Sequence, residues 1–97
     1  MRYEIIFAPQ AVKDFKRLSA HERSLLRDEI ETHLRYSPEK TARSRIKRLR
    51  GLKKPQYRLR VGEMRVFHDI AESQVHILAI IEKQKAVAWL ENTGEPE

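Results

Sequence analysis

The sequence contains no cysteine, only three glycines and four prolines, and no long uncharged run. The lack of cysteine excludes disulfide bonds and thiolate zinc sites, and it fits a reducing compartment. Because no apolar stretch approaches the ~20 residues of a membrane helix, we expect no transmembrane span and no membrane partner. The opening residues MRYEIIFAPQ lack the apolar core of a secretory signal. These absences predict a small cytoplasmic domain.

The 97 residues carry a formal net charge of +6, and this charge is concentrated in one stretch. Between Arg43 and Arg65 lie ten Lys and Arg residues and one acid, Glu63, so this basic segment carries +9 and the rest of the chain −3. Seven of the ten are arginines, whose planar guanidinium matches phosphate geometry better than an ammonium does. Such a segment is typical of a protein that binds a polyanion, most often nucleic acid, although a solvated basic loop is the alternative.

The first part of the chain predicts one strand and two helices. Residues 2–7 alternate as a strand does, and apolar residues at helical spacing predict a helix over residues 9–18. A Ser-x-x-Glu capping box at residues 19–22 begins a second helix, which ends near Ser37 because Pro38 disfavours a helical residue before it. With almost no linker between them, the two helices are expected to pack as an antiparallel hairpin.

A β-hairpin is the sharpest local prediction of the second half. Residues 56–61 alternate, and Gly62-Glu63 fits a two-residue type II′ loop, which prefers glycine at its first central position. This turn sets Arg60 opposite Arg65 on an exposed face. The same register pairs Arg58 with Phe67, Leu59 with Val66, Tyr57 with His68, and Val61 with Met64.

A third strand, residues 75–81, follows a turn at Glu72-Ser73. That turn pairs Val66 with Ala79 and Arg65 with Ile80. The expected helix-packed side of the strand comprises Val75, Ile77, Ala79 and Ile81, with His76, Leu78 and Ile80 on the other side.

The end of the chain predicts little regular structure. Residues 86–90 suggest one short helical turn, and residues 92–97 suggest a frayed tail after a single domain of residues 1–91. The order β-α-α-β-β-β predicts an α+β fold, with a helical hairpin packed on one face of a small antiparallel sheet.

Arg58, Arg60 and Arg65 are therefore expected to share one exposed sheet face. Like charges directly opposite one another destabilise a strand pair by ~0.2–1 kcal/mol. An anion bound between the guanidinium groups would relieve that repulsion, and Phe67 beside them offers a ring on which a base can stack. The alternative is a surface network in which acids neutralise the cluster. The candidate acids are Glu63, Asp69 and Glu82.

The four histidines give weaker signals. By the hairpin register His68 faces inward against Tyr57, as a hydrogen-bonded core histidine does. No pair has metal-ligand spacing such as HxxxH, and no Gly-rich phosphate loop or Ser/His/Asp order is present. We therefore expect neither a metal nor another cofactor.

Two stretches resemble the signature of the RelE/ParE toxin superfamily: RLRGL at residues 48–52 and YRLRVGEMRVFH at residues 57–68. The opening from Tyr3 to Leu18 also resembles the first strand and helix of that superfamily, so the resemblance covers residues 1–81. It implies a toxin of a type II toxin–antitoxin pair, with an antitoxin protein as partner.

RelE-like toxins cut mRNA in the ribosomal A site by metal-free attack of a ribose 2′-OH on the adjacent phosphate, so the resemblance also implies the ribosome and mRNA as partners. By position, the catalytic residues would be Arg58, Arg60, Arg65 and Lys83, with Gln84 as the alignment alternative to Lys83. The RNA- or ribosome-binding residues would be Arg45, Lys47, Arg48, Arg50, Lys53, Lys54, Phe67 and Trp89.

The C-terminal tyrosine of RelE-like toxins has no counterpart in this sequence. Trp89 stands near that place, but an indole cannot transfer protons, so the general base is open between Glu82, Lys83 and groups of the ribosome. ParE-like relatives share the fold and poison DNA gyrase as binding modules. The three strand arginines favour the ribonuclease over the gyrase poison, and an inactive or binding-only module is the third alternative.

Overall fold

A computed structural model describes residues 1–41 and 45–97, so Arg43 of the basic segment lies outside the described residues. The predicted order β-α-α-β-β-β is present, and three short strands add to it. The elements are β1 (Glu4–Phe7), α1 (Pro9–Lys16), α2 (Ala20–Leu34), β2 (Ile46–Arg48), β3 (Leu52–Lys54), β4 (Tyr57–Val61), β5 (Met64–Ala71), β6 (Gln74–Glu82), α3 (Lys83–Thr93) and β7 (Glu95–Pro96).

Five strands form the main sheet in the order β1-β6-β5-β4-β2. β1 runs parallel to β6, because α1 and α2 carry the chain across one face before it returns. The other neighbours are antiparallel, so the sheet is mixed where an antiparallel one was predicted. We call the face under α1 and α2 the helix-packed face and the opposite one the second face.

The core lies between the helix-packed face and the two helices. Leu26, Ile30 and Leu34 are spaced along one side of α2, and all three are buried in the same cluster as Leu59 and Val66 of the sheet. This spacing turns one stripe of α2 towards the strands, so burial of apolar surface holds the helix there.

The predicted capping box fixes the start of α2. The backbone N–H of Glu22 donates to Ser19 Oγ at 3.1 Å, and the N–H of Ser19 donates to Glu22 Oε1 at 3.0 Å. Two N–H groups that the helix itself leaves unpaired are thereby satisfied, which confirms the predicted break between the helices.

The predicted register of the β4–β5 hairpin is confirmed at all five pairs, including Arg60 with Arg65 and Arg58 with Phe67. Gly62 has φ of 57°, a left-handed value that glycine adopts without steric cost. The turn thus fixes which residues of both strands share a face.

The predicted register between β5 and β6 is correct only before Leu78. His68 pairs with Ile77, whereas Phe67 pairs with Ala79, so Leu78 is an extra residue in a β-bulge. The predicted pairs of Val66 with Ala79 and of Arg65 with Ile80 are therefore wrong. The observed pairs are Val66 with Ile80 and Arg65 with Ile81.

The bulge exchanges the two sides of the strand beyond it. Ile80 joins the core of the helix-packed face, whereas Ala79 and Ile81 lie on the second face, contrary to the prediction. A run in which nearly every residue is apolar carries no alternation that could specify its faces, so the sequence did not reveal the extra residue.

The C-terminal region is more ordered than predicted. The helix extends over Lys83–Thr93 rather than residues 86–90, and Glu95–Pro96 pairs with Leu52–Lys54, so the predicted fraying of the tail is wrong at these residues. α3 packs on the second face through Trp89, whose ring stacks on that of Phe67. Within the described ranges, no helix is long and apolar enough to cross a membrane.

Candidate phosphate-binding site on the second face

Arg58, Arg60 and Arg65, which we call the arginine cluster, lie on the second face of the sheet. Alternate residues of β4 point to the same side, and the observed register places Arg65 directly opposite Arg60. In the part of the chain that the structure describes, no carboxylate forms a salt bridge with any of the three. Three positive charges thus converge without neutralisation by an acid.

Arg65 is buried, with 7% of its surface exposed, although the sequence predicted an exposed side chain. It lies on β5, which is the central strand of the sheet. Its Nη1 donates to the carbonyl oxygens of Gly62 and Met64, each at 2.9 Å. The carbonyls of the hairpin turn therefore hold this guanidinium in place, which fixes a positive charge before any ligand arrives.

Arg58 is half-buried, and its Nε is a buried atom without a hydrogen-bond partner among residues 1–41 and 45–97. Burial lowers the pKa of Arg58, and the charges of Arg65 and Arg60 lower it further. The side chain remains a cation, because an arginine guanidinium does not lose its proton in proteins. Because the charges of Arg60 and Arg65 lie beside this guanidinium, an anion bound on this face would stabilise it.

Lys47 is the one described residue of β2 that the structure adds to this face. It pairs with Arg58, and the β2–β4 register places both on the second face. The sequence predicted that Lys47 binds RNA but not that it lies beside the arginine cluster, because β2 is a three-residue strand in a segment without a long period.

The other predicted binding residues of the basic segment lie elsewhere. Arg45 forms an ion pair with Glu29 of α2 at 3.1 Å, and the guanidinium of Arg48 lies 5.2 Å from the centre of the Tyr57 ring on the helix-packed side. The remaining three residues are exposed: Arg50 lies in the turn after β2, and Lys53 and Lys54 lie in β3.

Phe67 is not available for stacking on a base. It is 0% exposed, because the Trp89 ring covers it with centroids 4.9 Å apart and planes inclined by 20°. The predicted role of Phe67 in stacking is therefore wrong: the α3 helix, which the sequence indicated only as a short turn, occupies that ring. Trp89 keeps partial exposure and is the aromatic side chain of this face that a ligand can still reach.

Lys83 begins α3 beside the arginine cluster. Its backbone N–H donates to the carbonyl of Glu63 at 2.8 Å, so the start of the helix is attached to the same hairpin turn that holds Arg65. The side chains of Lys83 and Gln84 are both exposed. The turn therefore fixes the backbone of Lys83, the preferred sequence candidate, at the end of the hairpin that carries Arg60 and Arg65.

Glu82, the other residue that the sequence offered for proton transfer, faces away from the cluster, and so does the core histidine His68. Glu82 pairs with Met64 of the core and lines a cavity of about 250 Å³ on the helix side with Asp14 and Lys85. His68 is 0% exposed and stacks on Tyr57, as predicted, with ring centroids 5.4 Å apart.

Burial lowers the pKa of His68 to about 4. Because a carbonyl oxygen only accepts, the 3.2 Å contact with Pro38 makes Nε2 of His68 the protonated nitrogen. The ring is thus neutral at pH 7. Within the described residues, no group of three His, Asp or Glu side chains is arranged to hold a metal.

A second surface lies on the opposite side of the molecule. An apolar groove of about 440 Å³ runs between β1 and the helical hairpin, with Phe7, Phe15 and Ile30 among its lining residues. Arg27, whose guanidinium lies 5.5 Å from the centre of the Phe15 ring, and Lys16 add positive charge to it. This combination suits a segment that is apolar and acidic.

Residues 5–87 match the profile of a family described as the ParE toxin of the type II toxin–antitoxin system parDE. A search of curated proteins gave no match.

Three solved structures resemble the fold at 21–22% identity. A RelB-RelE antitoxin–toxin complex from Methanococcus jannaschii has a TM-score of 0.65 and 21% identity, and the match covers 87% of this chain and 96% of that one. The toxin–antitoxin complex RelBE2 from Mycobacterium tuberculosis has a TM-score of 0.61 and 22% identity, with coverage of 84% of this chain and 99% of that one. A RelE-RelB complex from Pyrococcus horikoshii has a TM-score of 0.55 and 22% identity, with coverage of 86% of this chain and 97% of that one.

Proposed function

This chain belongs to the ParE toxin family of type II toxin–antitoxin systems, within the RelE/ParE superfamily, and we propose that it inhibits translation by cutting ribosome-bound mRNA at the arginine cluster. The observation that carries the proposal is the convergence of Arg58, Arg60 and Arg65 on one face without a carboxylate partner in the described ranges. A structural network would pair such charges with acids, whereas a phosphate site leaves them available.

The proposed reaction is an in-line transesterification. The ribose 2′-oxygen forms a bond to the adjacent phosphorus, the bond from phosphorus to the 5′-oxygen breaks, and a 2′,3′-cyclic phosphate and a 5′-hydroxyl result. The intermediate gains negative charge on its phosphoryl oxygens, so fixed guanidinium groups stabilise it more than they stabilise the substrate. Arg65, held by two carbonyls, is the most preorganised of the three.

The proposed reaction requires two proton transfers. The 2′-hydroxyl must lose a proton and the leaving 5′-oxygen must gain one. Lys83, placed next to the hairpin turn, is the group of this chain that we assign to the leaving oxygen. Because Glu82 lies on the helix side, we assign the acceptor of the 2′-hydroxyl proton to a group of the ribosome.

The test is induction of the wild-type chain in bacterial cells, with mRNA 5′ ends mapped by primer extension. We expect new 5′-hydroxyl ends inside coding regions within minutes of induction. The double variant Arg58→Ala/Arg60→Ala is the control, since neither side chain is fully buried, and it should give no such ends. Growth arrest with intact messages would refute the ribonuclease.

Gyrase poisoning is the second candidate, and the matched family profile, which is that of the ParE toxins, favours it. It predicts cleaved DNA–gyrase complexes and an SOS response while protein synthesis continues at first. Both activities can be measured in the same induced culture, so the order in which DNA damage and mRNA ends appear separates the two candidates.

An antitoxin is the proposed protein partner, in line with the complexes in which the similar folds occur. We place its apolar, acidic segment in the groove beside β1. There Phe7 and Phe15 would bury apolar surface, and Lys16 and Arg27 would attract acidic side chains. β1 is an edge strand of the main sheet, so a strand of the partner can also pair with it. Ribosome and mRNA would contact the second face instead.

A further inference from the structure

The basic residues on the second face form two rows that cross the sheet. One row contains Lys47 of β2 opposite Arg58 of β4, and the other contains Arg60 of β4 opposite Arg65 of β5. Arg58 and Arg60 are two residues apart, so the rows are separated by roughly 6.6 Å at 3.3 Å per strand residue. Because β2 is the outermost strand and β5 the central one, the rows lead from the sheet edge to its middle.

Each row holds two cations directly opposite one another, an arrangement that costs stability in the absence of a ligand. In the edge row, Arg58 also has a buried Nε that lacks a partner in residues 1–41 and 45–97. The lysine of that row is exposed, and an ammonium donates three hydrogen bonds that can rotate towards an anion. Two cations on one face, an exposed lysine and a half-buried arginine, are the features of a site for a single phosphate group.

Lys47 is distinguished from its neighbours by position rather than by charge. Arg48 is the next residue, yet it lies over Tyr57 on the helix-packed side, and Arg45 is paired with Glu29. The charge of Lys47 is therefore directed to the row of Arg58, whereas nearby charges of the same sign are directed elsewhere.

We infer that Lys47 and Arg58 form a second phosphate subsite, so that the site takes two successive phosphates of one RNA strand: the reacting phosphate between Arg60 and Arg65, and its neighbour at the sheet edge. The inference rests on the proposed function and extends it, because it defines the substrate as an oligonucleotide whose neighbouring phosphate is also bound. Lys47 positions the strand and does not touch the reacting phosphorus.

The first experiment measures how salt weakens RNA binding. Anisotropy of a labelled 2′-O-methyl decauridylate, which cannot be cleaved, is recorded between 50 and 200 mM KCl. Because each neutralised phosphate of a single strand contributes about 0.7 to the slope of log K against log salt, Lys47→Gln should lower the slope by ~0.7. Lys47→Arg should keep the wild-type slope. Lys13→Gln is the matched control, because Lys13 is an exposed lysine of α1 and should leave the slope unchanged.

The second experiment counts the phosphates. 5′-UMP, with one phosphate, and pUpU, with two, compete with the decamer. With the wild type, pUpU should displace the decamer at a lower concentration than 5′-UMP does. In Lys47→Gln the ratio of the two inhibition constants should fall at least twofold. An unchanged slope together with an unchanged advantage in Lys47→Gln would overturn the second subsite.

The two hypotheses fail differently. If the Arg58→Ala/Arg60→Ala variant loses decamer binding while Lys47→Gln behaves like the wild type, the subsite is wrong and the arginine cluster stands as the RNA site. If the wild type itself does not bind the decamer, or the double variant binds it as well as the wild type does, the subsite is refuted, whereas the proposed function is refuted separately by intact messages in the induced cells.

Discussion

Asp14 of α1 accepts a hydrogen bond from the backbone N–H of Ile80 in β6, with 2.9 Å between Oδ2 and N. The parallel pairing of β1 with β6 ends at Phe7 and Ile77, because the chain turns into α1 at that point. Beyond it, none of the described strands lies next to β6 on that side. The Asp14 carboxylate replaces the missing strand at one position, so α1 closes an edge that would otherwise leave a donor unsatisfied.

Asp14→Ala should therefore destabilise the fold. Removing the acceptor leaves a part-buried N–H without a partner, which costs about 1–3 kcal/mol, and urea unfolding measures the change. Asp14→Asn keeps an acceptor oxygen and should lose less than half as much. Asp28→Ala, at an exposed position of α2, should remain within about 0.5 kcal/mol of the wild type. Equal losses in Asp14→Ala and Asp28→Ala would contradict the role of the hydrogen bond.

Arg65 and Arg60 should respond differently to alanine. Arg65→Ala removes a buried side chain and two hydrogen bonds to turn carbonyls, so we expect a loss of about 1–3 kcal/mol of stability together with the loss of activity. Arg60→Ala removes an exposed charge and should lower activity with a stability change below about 0.5 kcal/mol. Thermal unfolding of both variants checks this, and an unaffected Arg65→Ala protein would mean that its carbonyl contacts contribute nothing.

His68 should make stability depend on pH. Its pKa is about 4 in the folded chain against about 6.5 when exposed, so between those values the unfolded chain binds more protons. Stability is then complete above pH 6.5 and falls as the pH decreases towards 4, by about 3 kcal/mol in total. Urea unfolding at pH 7.5 and pH 5 measures this difference.

The matched variant for that measurement is His68→Phe, which retains a ring against Tyr57 and cannot be protonated. It should show a smaller loss between pH 7.5 and pH 5 than the wild type does. His21→Gln, at an exposed position of α2, should behave like the wild type. If His68→Phe and the wild type lose the same stability, another group is responsible for the pH dependence.

α3 should open more readily than the sheet beneath it. None of its residues is buried, and its ring contact with the sheet is that of Trp89 with Phe67. Its amides should therefore exchange hydrogen through local opening, whereas those of β5 exchange only on global unfolding. Hydrogen exchange followed by mass spectrometry distinguishes the two. Trp89→Ala should speed exchange in α3 by at least tenfold, and protection of α3 equal to that of β5 in the wild type would refute a local opening.

The hairpin of the site was predictable because two independent signals agree. Gly62 sets the turn, and the alternation over residues 56–61 sets the faces, so the pairing of Arg60 with Arg65 follows from local sequence alone. The burial of Arg65 was not predictable, since it depends on the central place of β5 and on the attachment of α3 to the turn. The solvent exposure of a side chain depends on contacts with elements that are distant in sequence, and the periodicity of a strand does not predict those contacts.

The surroundings of Lys47 and of Phe67 also depend on tertiary contacts that the sequence pattern does not reveal. Lys47 lies beside Arg58 only because a three-residue strand pairs with β4, and so short a strand has no recognisable pattern. Phe67 was expected to be open because α3 was expected to be one turn. The α3 sequence has no clear apolar stripe, and only the tertiary structure brings Trp89 onto the Phe67 ring.

The extra residue at Leu78 divides β6 into two halves of opposite parity. Odd-numbered positions before it and even-numbered positions after it face the same layer. Deleting Leu78 would remove the bulge and leave a regularly alternating strand, with Ile80 still in the core and Ile81 still opposite Arg65. A sequence comparison with a relative that lacks the bulge therefore needs a one-residue gap at Leu78, because an ungapped alignment would match residues from opposite layers beyond that point.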